Sequence, residues 1–294
     1  MCKIIDRLPA QDHNFMSPTR LGQNFLADAN WRSRIASLLG ARAGDTFVEI
    51  GAGHGEMTEL LALCGARVTA IELDRNLAAQ LRRRAVGWPG VQIVETDVLN
   101  VDLAKLAGVS HFNVYGNIPY YITSPILHRI FNVSVNHPGA LGSAHLVMQL
   151  EVAERITAHP GRREYGYLSA ATQFHSKPEI LLKIPPGAFR PRPKVTSALV
   201  RLSFPGEGAN LVIANVDAFL TFVQGCFAQK RKTLANNLRA MRVVPTSGKA
   251  RAAGAAQVRA LAETMNQAGI DAAARAEQLT LTQFAALYHV LENA

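Results

Sequence analysis

Val48-Glu49-Ile50-Gly51-Ala52-Gly53-His54-Gly55-Glu56-Met57-Thr58 is an apolar run that meets three alternating glycines and then resumes at helical spacing. Residues 47–50 read as a short buried strand and residues 56–63 as a helix, so the glycines occupy a strand-to-helix turn. Glycine permits positive φ and close approach of a ligand to the main chain, and the start of a helix points free N–H groups at whatever sits there. A packing turn could use the same residues. The next strand, Arg67-Val68-Thr69-Ala70-Ile71-Glu72-Leu73-Asp74, tips the balance toward a ligand, because it ends in carboxylates. An acid about 20 residues after such a turn hydrogen-bonds ribose hydroxyls in nucleotide-binding sheets. Glu72 is the candidate for that role, and Asp74 fits as the N-cap of a helix beginning near Asn76. The spacing Gly-x-Gly-x-Gly differs from the pyrophosphate fingerprint, which leaves a nicotinamide dinucleotide and S-adenosylmethionine both open.

The alternation continues outward from this turn. Residues 77–86 form a helix whose Arg82, Arg83 and Arg84 read as a solvated stripe. Residues 91–97 are a third strand ending in Asp97, 103–107 a short helix, and 112–116 a fourth strand. Strand and helix at these spacings predict an α/β fold with a doubly wound, Rossmann-like parallel sheet. Ligands bind such sheets beyond the carboxyl ends of the strands, where Gly51, Glu72, Asp97 and Asn117 would gather. Asp97 has two readings, a turn cap or an acceptor for the amino group of an adenine.

The fourth strand runs into Asn117-Ile118-Pro119-Tyr120-Tyr121-Ile122-Thr123-Ser124-Pro125. Pro119 fixes its own φ and restricts Ile118 to extended conformations, which makes a rigid polar notch. The Asn117 side-chain oxygen and the Ile118 carbonyl are acceptors suited to an exocyclic amino group, and Tyr120 offers a face for an unstacked base. Beyond it the pattern predicts helices over 124–131, 151–158 and 167–174, and strands over 145–149, 179–184 and 197–203. Residues 185–194, with four prolines, read as a stiff basic loop, residues 204–208 as a linker, and everything from Val216 as helical, with Gln229-Lys230-Arg231-Lys232-Thr233-Leu234 on the first of those helices. Upstream, residues 1–19 lack periodicity. Residues 20–26 precede a helix capped by Asp28, and either lie over a cofactor or pack at the domain edge.

Composition excludes several classes of protein. The 294 residues are 48% hydrophobic, enough for a packed core, yet no run approaches the roughly 20 apolar residues of a membrane helix. The start of the chain lacks a signal-peptide core, which predicts a cytoplasmic protein with no membrane partner. Cys2, Cys64 and Cys226 are isolated, so neither a disulfide framework nor a metal site is expected. The net charge of +9 is concentrated between Leu182 and Arg251, where twelve Lys and Arg face only Glu207 and Asp217. A basic footprint of that kind suits nucleic-acid phosphates.

These stretches together resemble the ribosomal RNA adenine N6,N6-dimethyltransferases. The resemblance rests on Gly22-Gln23-Asn24-Phe25-Leu26, on the glycine turn and Ile71-Glu72-Leu73-Asp74, on Asn117-Ile118-Pro119-Tyr120, on Glu151-Val152-Ala153-Glu154-Arg155, on Phe189-Arg190-Pro191-Arg192-Pro193-Lys194-Val195, and on Arg231-Lys232-Thr233-Leu234. It covers nearly all of the chain from Arg20. It implies S-adenosylmethionine as cofactor, without a metal, held by Asn24, Leu26, Gly51, Gly53, Glu72, Asp97 and Asn117. It also implies a target-adenine site at Asn117, Ile118, Pro119 and Tyr120, and RNA contacts from Arg190, Arg192, Lys194, Lys230, Arg231 and Lys232. Ala52 and Ile118 depart from the family's more usual proline and leucine while keeping backbone role and approximate volume. The implied organisation is an extension over 1–19, a methyltransferase domain over 20–205 and a helical rRNA-binding domain over 206–294. The implied activity of this monomer is dimethylation of two adjacent adenosines near the 3′ end of 16S rRNA in the assembling 30S subunit. The alternatives are a 23S rRNA methyltransferase of the antibiotic-resistance type and a ribosome-assembly factor whose main work is binding. A nicotinamide dehydrogenase lacks a hydride-transfer acid or base and leaves the basic segment without purpose.

Overall fold

The apolar run before the glycines is a central strand in which all five residues are buried, so it carries no alternation of polar and apolar positions. A computed structural model describes residues 23–241 and 254–292. The expected extension over 1–19, Gly22 of the first motif, and Arg242, Lys249 and Arg251 of the basic segment lie outside the described residues.

In chain order the first elements are β1 (Phe25–Leu26), α1 (Ala29–Leu39), β2 (Thr46–Ile50), α2 (Glu56–Leu63), β3 (Arg67–Glu72) and α3 (Arg75–Arg84). They are followed by β4 (Val91–Glu95), α4 (Leu103–Ala107), β5 (Phe112–Asn117), α5 (Thr123–Asn136), β6 (Leu141–Gln149), α6 (Leu150–Ile156) and α7 (Tyr167–His175). The remainder is β7 (Lys177–Ile184), β8 (Phe189–Arg190), β9 (Ser197–Ser203), α8 (Val216–Cys226), α9 (Leu234–Ala240), α10 (Gly254–Gln267) and α11 (Leu281–Glu292).

Seven strands form one sheet in the order β4-β3-β2-β5-β6-β9-β7. β2 pairs in parallel with β3 on one side and β5 on the other, with Ile50 opposite Ile71 and Gly116. Only β9 runs against its neighbours β6 and β7. The order reverses direction around β2, which is the switch point where a crevice opens beyond the strand ends. The expected doubly wound α/β fold is present, and Phe47, Val68, Ala70, Leu61 and Leu81 are among the side chains that close the core beneath the turn. Each of the larger of these, Phe47, Val68, Leu61 and Leu81, contributes about 1.5–3 kcal/mol by full burial.

The described residues divide into two compact units, those within 1–153 and 177–204 and those within 154–176 and 205–294. The sequence pattern predicts the boundary between the methyltransferase and helical domains at 205. Residues 154–176 instead join the helical unit, for identifiable reasons. Tyr165 and Phe174 pack in the same core as Phe219 and Leu234, the Gly161 N–H donates to the Glu277 carbonyl at 2.7 Å, and the Gly206 N–H donates to the His175 carbonyl at 2.9 Å. The expected linker is also packed, since a Cβ on Gly206 would lie 2.2 Å from the Ser176 nitrogen.

Two further expectations change. Within residues 185–194, Pro186–Ala188 makes a 3-10 turn and β8 pairs antiparallel with β1, so this segment is not wholly loop. In the helical unit, α8 ends at Cys226 and the basic stretch from Gln229 to Thr233 is a turn, with α9 beginning at Leu234. Buried Asn237 explains the break. Its Nδ2 donates to the Cys226 carbonyl at 2.7 Å and its Oδ1 accepts from the Gln229 N–H at 3.2 Å, replacing the hydrogen bonds that a continuous helix would have made. No helix among the described residues is long and apolar enough to cross a membrane.

Candidate active site

Because β2, β3, β4 and β5 are parallel, Gly51, Glu72, Asp97 and Asn117 come to the same edge of the sheet. The turn after β2 holds Gly51, Gly53 and Gly55 at φ of 71°, 58° and 85°, a region that disfavours a side chain. The Gly51 and Ala52 N–H groups both donate to the Ile71 carbonyl, at 2.9 and 3.1 Å. Glu72 is buried and bridges two segments: Oε2 accepts from the Gly53 N–H and Oε1 from the Asp74 N–H, each at 2.8 Å. A carboxylate has about four acceptor positions, so hydroxyl donors can still be accommodated. Asp74 caps α3 as expected, accepting from Asn76 and Leu77.

The segment before α1 lies against the glycine turn. The Phe25 ring sits where a Cβ on Gly53 would come within 3.0 Å, and it meets the His54 ring at 4.8 Å between centroids. The Asn24 carbonyl accepts from Asn117 Nδ2 at 2.8 Å. Leu26 turns its side chain into the core, and its carbonyl accepts from Arg32 at 3.1 Å. The segment before α1 thus packs against the glycine turn and the end of β5.

At the end of β5 the notch is held from several directions. A backbone carbonyl can only accept, so the end of the Asn117 amide that faces the Asn24 carbonyl is its NH2 group, which leaves Oδ1 as the acceptor on the other side. Ile118 is buried and its N–H donates to the Val147 carbonyl at 3.0 Å. Pro119 has φ −56° and ψ 133°. The Tyr120 hydroxyl is 2.8 Å from Ser197 Oγ, which fixes the far end of its ring, while Tyr121 is 63% exposed. A Cβ on Gly51 would have the Asn117 carbonyl as its nearest neighbour, at 3.9 Å. The space over the turn therefore borders the notch.

Asp97 adopts the capping geometry, with Oδ1 accepting from the Leu99 N–H at 2.9 Å and Oδ2 3.5 Å from Asn100 Nδ2. Beneath the turn, Glu49 is buried and accepts from Thr58 Oγ1 at 2.6 Å. Burial above all, with Glu56 and Glu72 nearby, pushes its carboxyl up to about 8, so it is protonated at neutral pH. Tyr115, opposite Glu49 across β2 and β5, has a buried hydroxyl with no hydrogen-bond partner among the described residues, and burial raises its pKa.

The basic candidates fall in both units. Arg190, Arg192 and Lys194 are exposed in the first, with the Arg190 guanidinium donating to the Gly187 and Phe189 carbonyls. Lys230, Arg231 and Lys232 are exposed on the turn that Asn237 braces in the second, and Lys230 Nζ donates to the Arg163 carbonyl. Among the described residues no group of three or more His, Cys, Asp or Glu could hold a metal ion.

Sequence reasoning missed Phe25 and Ser197 as supports of the site, and it placed Arg84 in a solvated stripe. Arg84 instead donates to the His54 carbonyl inside the glycine turn. For Ser197 no local signal exists, since it lies 77 residues from Tyr120.

A family model described as Ribosomal RNA adenine dimethylase matches residues 14–292. The chain is 44% identical over 278 residues to the Ribosomal RNA small subunit methyltransferase A of Acidobacterium capsulatum, covering 93% of this chain and 91% of that one. It is 38% identical to the protein of the same name from Koribacter versatilis, covering 93% and 94%. Among solved structures, a dimethyladenosine transferase from Plasmodium falciparum has the same fold, with TM-score 0.73 and 22% identity over 90% of this chain and 96% of that one. The 23S rRNA methyltransferase ErmE is similar at TM-score 0.67 and 28% identity, over 92% and 100%. With its glycine turn and its notch at the end of β5, the chain belongs to the ribosomal RNA adenine dimethylase family.

Proposed function

We propose that this protein uses S-adenosylmethionine to dimethylate the N6 amino groups of two adjacent adenosines near the 3′ end of 16S rRNA in the assembling small subunit, in the cytoplasm. The observation that carries this reading is the Asn117 amide, oriented by the Asn24 carbonyl at 2.8 Å so that Oδ1 is the acceptor it offers, at the border of the glycine turn. The residues suit the cofactor. Gly51, at positive φ, leaves open the space a side chain would fill, and Glu72 keeps acceptor capacity for ribose hydroxyls.

Bound there, the cofactor supplies a methyl group activated by its sulfonium. The chain's own residues prepare the nucleophile. The lone pair of an adenine amino group is delocalised into the ring, so acceptors that take both of its N–H groups favour the pyramidal, reactive nitrogen. Asn117 Oδ1 and the Ile118 carbonyl are such a pair, held rigid by Pro119 and by the Ile118 N–H bond to Val147. The Tyr120 ring, fixed through Ser197, offers a face for the flipped base. Orientation of this kind supplies much of the rate advantage in group transfer. Asp97 Oδ2, met by Asn100 Nδ2 at 3.5 Å, keeps acceptor capacity suited to the adenine amino group of the cofactor. Arg190, Arg192 and Lys194, with the turn over Lys230, Arg231 and Lys232, would meet RNA phosphates.

The stronger similarity to small-subunit methyltransferases, at 44% against 28% for ErmE, favours 16S over 23S rRNA as the substrate. The test is incubation of the protein and S-adenosylmethionine with undermethylated small subunits, naked 16S rRNA and 23S rRNA, followed by nucleoside mass spectrometry. N6,N6-dimethyladenosine near the 3′ end of 16S rRNA, absent with Asn117→Ala, is expected. Methylation of 23S rRNA alone would transfer the protein to the resistance branch, and cofactor binding without transfer to any RNA would favour a binding role in assembly.

A further inference from the structure

Helix α3 touches the glycine turn from both of its ends. At the start, Glu72 Oε1 accepts from the Asp74 N–H while Oε2 accepts from the Gly53 N–H, each at 2.8 Å, so the N-cap of α3 and the turn share one carboxylate. At the other end, Arg84 is the last residue of α3, and its Nη1 donates to the His54 carbonyl. Its Nη2 donates to Glu59 Oε2 at 3.1 Å, on the first turn of α2, the helix that follows the glycines. The guanidinium also lies over Trp88, 5.5 Å from the ring centroid. The middle of α3 presses on the same turn, since a Cβ on Gly55 would come within 2.2 Å of Leu81 Cδ1. The turn is therefore enclosed by a loop of contacts running from Gly53 through Glu72, Asp74, α3 and Arg84 to His54.

We infer that Arg84 is a positioning residue for the cofactor turn: by joining the His54 carbonyl to Glu59, it holds Gly51, Gly53 and Gly55 in the conformation that accepts S-adenosylmethionine. The inference rests on the cofactor assignment above. The physical need is specific. Three residues with positive φ within five positions make the turn conformationally costly, because glycine loses the most backbone freedom on ordering. A guanidinium is suited to the task, since its planar fork can donate to two acceptors at once. Arg82 and Arg83 carry the same charge on the same helix without that contact: Arg82 pairs with Glu95 at 2.9 Å, and Arg83 is exposed. An ammonium at position 84 could reach one acceptor but not span both.

The test compares Arg84→Ala, Arg84→Lys, Glu59→Gln and Arg83→Ala in the full-length protein, by calorimetric titration with S-adenosylhomocysteine and by hydrogen exchange of the turn amides without ligand. Arg84→Ala is expected to weaken S-adenosylhomocysteine binding about tenfold, the loss of one charge-assisted hydrogen bond. It should raise KM for S-adenosylmethionine while leaving kcat and KM for RNA within about twofold of wild type. Exchange should speed up at residues 53–55 and not in β5. Arg84→Lys should recover part of the binding, Glu59→Gln should lose less than Arg84→Ala, and Arg83→Ala, with the same change of charge, should bind as wild type. Equal weakening in Arg83→Ala and Arg84→Ala would reduce the effect to charge and overturn the inference. Unchanged exchange at residues 53–55 in both Arg84 variants would overturn it without reference to any ligand. If the wild-type protein itself did not bind S-adenosylhomocysteine, the cofactor assignment would fall, and this inference with it.

Discussion

Asn117 Nδ2 donates to the Asn24 carbonyl at 2.8 Å across 93 positions of chain, and this bond sets the direction of the acceptor proposed for the target adenine. Asn117→Asp tests it directly. A carboxylate has no N–H to give the Asn24 carbonyl, and it would place oxygen against oxygen. Turnover on RNA is expected to fall by about 10²–10³, the range seen when one oriented polar group at a reacting centre is removed. Thermal unfolding, measured alongside, should change little by comparison. A variant retaining more than a third of wild-type kcat would show that the amide orientation is dispensable.

Gly53 has φ 58°, and Phe25 covers the place of its missing side chain. Gly53→Ala carries two separable penalties, a backbone cost of about 1–2 kcal/mol for a left-handed non-glycine residue and a clash with the ring. Phe25→Ala in the same chain should relieve the clash and leave the backbone cost. Chemical denaturation of the two single variants and the double variant is expected to show a favourable coupling between the positions. Additive losses would mean that the ring moves aside freely.

The Tyr120 hydroxyl and Ser197 Oγ are 2.8 Å apart, and only the ring is assigned a contact with the base. Tyr120→Phe and Ser197→Ala should therefore each lower kcat/KM for RNA by about two- to tenfold, the worth of one neutral hydrogen bond. Tyr120→Ala should cost far more. Steady-state kinetics on naked 16S rRNA distinguish these cases, and equal losses for Tyr120→Phe and Tyr120→Ala would shift the role from ring to hydroxyl.

Glu49 is held protonated by burial, up to about 8 against an ordinary carboxyl value of 4.5. Between those values the folded protein keeps a proton that the unfolded chain releases, so this group's stabilising contribution is complete below about pH 4.5 and disappears as pH rises toward 8. His145 acts on the acid side. Burial first and Arg201 second lower it to about 4 from 6.5, so its contribution is present above 6.5 and disappears as pH falls toward 4. In Glu49→Gln the decline in denaturant midpoint between about pH 4.5 and 8 should flatten, while the acid limb set by His145 remains. An unchanged decline over that range would show that Glu49 is ionised in the fold.

Asn237 closes the basic turn by bonds to the Cys226 and Gln229 carbonyls. Asn237→Ala should destabilise the helical unit by about 1–3 kcal/mol, because buried main-chain carbonyls lose their donor. It should also raise KM for RNA without altering S-adenosylhomocysteine binding. A parallel loss of cofactor binding would contradict the separate roles given to the two units.

The strand-turn-helix around Gly51, the acid at Glu72 and the cap at Asp74 were legible in the chain because each depends on residues close in sequence, and the alternation of strands with helices implied the parallel sheet. Periodicity marks buried faces, glycine marks positive φ, and a short polar side chain before a helix marks its cap. The same locality explains the failures. Arg84 looked solvated because its partners, His54 and Glu59, are 30 and 25 positions away. The basic turn looked helical because Asn237, which interrupts the helix, follows it by several residues and acts through buried carbonyls.

Local pattern thus sufficed for the strand ends that approach the site and for the residue types placed there. It could not reach the pinning of Tyr120 by Ser197, the seating of Phe25 over Gly53, the direction of the Asn117 amide or the protonation of Glu49. Those depend on pairings between distant segments and on burial. A hydrogen bond across 93 positions, or a carboxyl stripped of water by neighbouring strands, exists only once the sheet has closed.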